Sequence, residues 1–254
     1  MTPSEWFAET NPDRLLGIVH PQWFAGFGEA ASRLTYSVDA RLRWFGCAAV
    51  RMVWDFLPTD AQSAVLVSER IASNPAVFFN LRAVAVRIVD GAGGFRQLAV
   101  NAAGWASAGV SDFQGSDYEA LRYDPAEAGR CAARALATKA VGPAPPGHTR
   151  KTSAWHLAWT QLFNEARLTQ SHFVRDLFPP PDHELRFDPT WLTSTVVALA
   201  KQIDDTGDYS IVPILADALQ DAGCDDPTLL QCCRVPGTVH IRGNWVVDLV
   251  LGRD

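Results

Sequence analysis

The chain has 254 residues, 48% of them hydrophobic and 20% charged, and a formal net charge of −6. That length can bury one large core or two small ones, and the composition excludes a disordered chain. No apolar run approaches a membrane span: the nearest, Trp44 to Val53, is interrupted by Arg51. The charge is uneven, with 12 acidic against 5 basic residues over 182–254 and 16 against 17 over 1–181, and so acidic a C-terminal region argues against a grip on nucleic acid.

In chain order, the N-terminus has acidic residues and no basic-then-apolar leader pattern, and the five cysteines (47, 131, 224, 232, 233) are odd in number and scattered. Both features predict a cytoplasmic protein with reduced thiols. Asn/Asp-Pro pairs at 11–12, 74–75, 124–125, 188–189 and 226–227 each offer a capping side chain followed by a proline that suits the first helical turn. Short helices are expected from Ser4 to Glu9 and after Pro12. The stretch Trp23 to Gly28 has no assignment. Arg41 to Leu57 reads as one helix, with Leu42, Phe45, Ala49, Met52 and Phe56 on one stripe and Arg41, Arg51 and Asp55 on another face. Helices are predicted over about 61–72, 76–89, 95–107, 125–140 and 152–177, although the valine and isoleucine of 76–89 also suit a strand, against its helical spacing. The prolines and glycines of 142–150 mark a linker between an N-terminal helical region, 1–141, and a C-terminal one, 151–254.

Beyond Asp188-Pro189, Leu192, Val196, Leu199 and Ile203 recur at helical spacing up to Gly207, a natural stop. Ser210 is placed to cap a helix carrying Leu215 and Leu219, Asp226-Pro227 to open a shorter one, and Gly243 to lead into a last one with Trp245 and Leu249. A helix that short must dock to persist, so Trp245 is expected to be buried against its neighbours. Alternating strand patterns are missing. The fold class predicted is all-α, a multi-helix bundle or array.

Two terminal patterns stand out: Glu5-Trp6, Asn11-Pro12, Leu15-Leu16 and RLRWFGCAAVRMVWDFL at one end, and DPTWLTSTVVALA, VPILADALQDAGCDD and RGNWVVDLVLG at the other. Together they resemble a family of uncharacterised, paralogue-rich bacterial proteins with an alanine-rich middle of variable length. The resemblance implies a mostly helical cytoplasmic protein and brings no activity or substrate with it. In that family the positions matching Cys232-Cys233-Arg234 tend to read His-Cys-Arg, and the position matching Asn244 is often cysteine. With His240 that implies a His/Cys cluster of metal-ligand type, from which Asn244 departs.

Read as residues, Cys224, Cys232, Cys233 and His240 offer the thiolates and imidazole that suit zinc, although no C-x-x-C knuckle is present and adjacent cysteines rarely ligate one ion. The competing reading makes the cysteines small buried hydrophobes. His172 and Asp176 are four apart on a predicted helix, as a ligand or acid–base pair would be, but such a spacing is far more often a surface pair that steadies the last turn. His183-Glu184 has the same ambiguity. No nucleophile elbow is present, GWASAG having the wrong spacing. Cys47 lies beside an apolar stripe, and the glycines at 91, 93 and 94 lack the lysine of a phosphate loop. Nine tryptophans, among them Trp44, Trp54, Trp155 and Trp159, suit helix packing, an aromatic pocket or a partner surface. These features favour a non-catalytic helical interaction or adaptor module with a protein partner; the alternative is a zinc-binding module or an enzyme using the C-terminal Cys/His cluster.

Overall fold

Short polar side chains followed by proline do start helices in this chain. In the computed structural model, which describes residues 1–19, 38–73, 95–107, 125–145, 153–181, 187–235 and 238–253, Asn11 accepts from Asp13 N at the head of a helix beginning at Pro12. Asp226 does the same for Thr228 and Leu229 at Pro227. Thr2 and Glu5 close a reciprocal capping box ahead of the first helix. The α-helices among the described residues are α1 Pro3–Ala8, α2 Pro12–Ile18, α3 Val38–Arg51, α4 Thr59–Ser73, α5 Phe95–Ser107, α6 Pro125–Val141, α7 Ala154–Leu177, α8 Ser194–Thr206, α9 Val212–Asp221, α10 Pro227–Arg234 and α11 Trp245–Val250. None of the described residues is in a strand, so the fold is an all-α array as the patterns predict. No helix there is long and apolar enough to cross a membrane.

The chain divides into two compact units that do not follow the proline-rich stretch at 142–150. One joins Met1–Arg41 to Ser171–Asp254; the other is Leu42–Gln170. The boundaries fall inside α3 and α7, where no change of composition marks them. The expected parting therefore lies within the second unit, and its residues 146–150 are outside the described ones, as are 76–89 and Trp23 to Gly28.

In the first unit, α8 to α11 enclose one apolar core with Ile203, Leu215, Leu219, Leu229 and Trp245 almost fully buried. Each aliphatic side chain in it stabilises the unit by roughly 1.5–3 kcal/mol. Trp245 is 1% exposed, and α11 packs on α8 and α10, so the C-terminal helix is a clasp. Gly207 ends α8 with φ +69, the left-handed turn that glycine adopts without strain. Two starts are displaced from expectation. Asp188-Pro189 opens only a 3-10 turn, Pro189–Trp191, because Leu192 leaves the helical region (ψ 56) and Thr193 caps α8 instead. Leu192 is then 40% exposed, not buried, and Leu199 is half-buried. Asp208, not Ser210, supplies the cap before Val212, through a second 3-10 turn.

In the second unit the core is made mostly of alanine. Ala99, Ala102, Ala103 and Ala106 of α5 meet Ala128, Ala132 and Ala135 of α6, so their backbones can approach closely. Ser68 of α4 donates to the carbonyl of Ala106 at 2.8 Å and accepts from the buried Arg43 at 3.0 Å. The predicted helix 41–57 stops short. After Arg51 the chain tightens into i−3 hydrogen bonds, Val53 leaves helical geometry (φ −117, ψ 17), and Trp54–Phe56 is a 3-10 turn. Rotating these residues off the α-helical stripe leaves Met52 and Phe56 only partly buried; Leu42 is also partly buried, while Phe45 is fully buried.

Candidate functional site

Three consecutive residues at the end of α7 gather both ends of the first unit. The Arg175 guanidinium donates to Trp6 O at 3.0 Å, to Ser171 Oγ at 3.0 Å and to Glu9 O. It thus satisfies carbonyls at the C-terminal end of α1, where a cation also opposes the helix dipole. The last carbonyls of α7 are covered in turn. Trp245 Nε1 donates to Arg175 O at 3.1 Å, and Arg41 donates to Leu177 O at 2.7 Å. Arg41, fully buried, also donates to Gly243 O at 3.0 Å and lies 3.3 Å from Asp248 Oδ2 of α11.

Asp176 lies between them, 1% exposed, and its carboxylate accepts from three donors. These are His240 Nδ1 at 2.8 Å, Ile241 N at 2.8 Å and Asn244 Nδ2 at 3.0 Å. Asn244 is doubly engaged, because its carbonyl oxygen accepts from Val246 N and Val247 N as the cap of α11. One carboxylate therefore fixes both the approach to the last helix and its first turn.

The protonation of His240 follows from its neighbours. Nδ1 faces a carboxylate oxygen, and Nε2 faces the carbonyl oxygen of Cys233 at 3.2 Å. Both are acceptors, so only the imidazolium, with a proton on each nitrogen, satisfies both contacts. Burial opposes that charge, but the Asp176 carboxylate and the Cys233 carbonyl outweigh it and raise the pKa. Burial likewise pushes the Asp176 carboxyl up, against the pull of its three donors. The result is a buried, hydrogen-bonded ion pair.

The sequence candidates can now be placed. Cys224, Cys232, Cys233 and His240 all lie buried in the first unit, and burial raises all three thiols above their ordinary range. His240 meets the main chain of Cys233, not its thiol, and as placed has no lone pair to offer an ion. Among the described residues no group of three or more His, Cys, Asp and Glu is arranged to hold a metal ion. His172 and Asp176 do not form the surface pair that their spacing suggests: His172 Nδ1 lies 3.0 Å from Thr238 Oγ1, and Asp176 turns inward to His240. Cys47 is a core residue with its thiol pushed up to about 12 by burial. His183-Glu184 and the glycines at 91–94 are outside the described residues.

Sequence reasoning missed Arg41, Arg175 and the double use of Asn244. No protein-family model, curated protein or solved structure matches the chain.

The tryptophans divide by unit. Trp6, Trp191 and Trp245 are buried in the first. In the second, Trp44 is buried, while Trp155, Trp159 and Phe163 of α7 are half-buried and stack in sequence, with centroids 6.4 and 5.2 Å apart. Trp159 Nε1 donates to Thr138 Oγ1 and Trp155 Nε1 to Gly142 O, which ties the stack to α6 and the residue after it.

Proposed function

We propose that the chain is a non-catalytic helical module of the cytoplasm that works by binding a protein partner. The observation that carries this reading is the state of Asp176 and His240. This acid–base pair is buried, mutually satisfied and engaged in holding α11, so it is withdrawn from any substrate. Five buried free thiols suit a reducing compartment. The half-buried stack of Trp155, Trp159 and Phe163 is the kind of rigid aromatic surface from which binding hot spots are built.

The resemblance to a paralogue-rich bacterial family extends the reading. Its C-terminal pattern and the Glu5-Trp6 to Leu15-Leu16 motif fall in the first unit, whereas RLRWFGCAAVRMVWDFL, from Leu42 on, and the alanine-rich middle fall in the second. A common frame carrying a variable binding part is the organisation this proposes. The test is affinity capture from a bacterial extract with the full chain and with Trp159→Ala, both first shown to melt alike. The expected result is a defined protein held in stoichiometric amount by the parent chain and lost with the variant. Equal capture by both would remove the aromatic stack from the contact. Stoichiometric zinc in the purified chain would overturn the reading in favour of a metal module at Cys224, Cys232, Cys233 and His240.

A further inference from the structure

We draw no further inference here: the strongest candidate, the exposed face of α7 that carries Leu157 at 59% exposure beside Ala158, is an apolar helix face for which nothing in the structure shows what covers it.

Discussion

At Asp176 a single carboxylate meets three donors from a segment more than sixty residues further along the chain. Replacing it with asparagine keeps the shape but removes the charge and turns an amide N–H₂ toward groups that themselves donate. Breaking one side of a buried ion pair costs about 3–5 kcal/mol. Asp176→Asn is therefore expected to lower the stability of the first unit by that amount in urea unfolding, followed by tryptophan fluorescence. A loss below about 1 kcal/mol would show that the clasp holds by apolar packing alone. The pH dependence has a definite sign. His240 has a folded pKa raised above its ordinary 6.5, so its contribution is fully present below 6.5 and is lost as pH rises through the raised value. Asp176 is also raised, so it too favours the more protonated side. The first unit should lose stability as pH rises above 6.5 through the raised His240 value, and His240→Gln should flatten that slope, as read by urea midpoints from acidic to mildly alkaline pH. An unchanged slope in the variant would place the titrating group elsewhere.

At the scale of the element, the two glycines 17 and 207 make opposite tests of what a helix needs. Gly207 stands at φ +69 with open space around its Cβ position, so alanine there meets no atom but is forced into the left-handed region. Gly207→Ala is expected to cost roughly 1–2 kcal/mol from backbone strain alone. Gly17 lies inside α2 at ordinary helical φ, equally open, so Gly17→Ala should stabilise by roughly 0.5–1 kcal/mol. Thermal unfolding of the two variants should move in opposite directions. The helices themselves were legible for the same local reasons: caps at Asn11 and Asp226, prolines in first turns, a glycine stop at 207. Where local signals competed, legibility failed. Asp188 and Thr193 are both good caps, five residues apart, and periodicity alone does not say which one the helix takes. The site was barely legible at all. His172 and Asp176 share a helix, but the partner that decides the role of Asp176 is 64 residues away, and only folding brings His240 to it. Arg175 and Asp176 are adjacent in sequence and face different segments, an arrangement that no i, i+4 rule marks.

For the whole molecule, the separate cores of the two units make cooperativity a measurable question, and the five cysteines supply the reporters. Cys224, Cys232 and Cys233 belong to the core built from α8 to α11, while Cys47 and Cys131 belong to the alanine-rich core. All five are buried, and burial keeps each thiol protonated, with Cys131 raised to about 11 and Cys47 to about 12. Alkylation therefore waits on opening, and its rate at each site reports how often that core opens. Leu215 is fully buried in the first core, and cutting it to alanine should cost about 2–5 kcal/mol. Each 1.4 kcal/mol is about tenfold in an opening equilibrium, so Leu215→Ala should speed alkylation of Cys224, Cys232 and Cys233 by roughly thirty-fold or more. Because Cys47 and Cys131 answer to a core that Leu215 does not enter, their rates should change little. Site-resolved mass spectrometry after a short alkylation pulse reads all five at once. If all five accelerate together, the chain opens as one cooperative body, and the division into two units describes its packing but not its energetics.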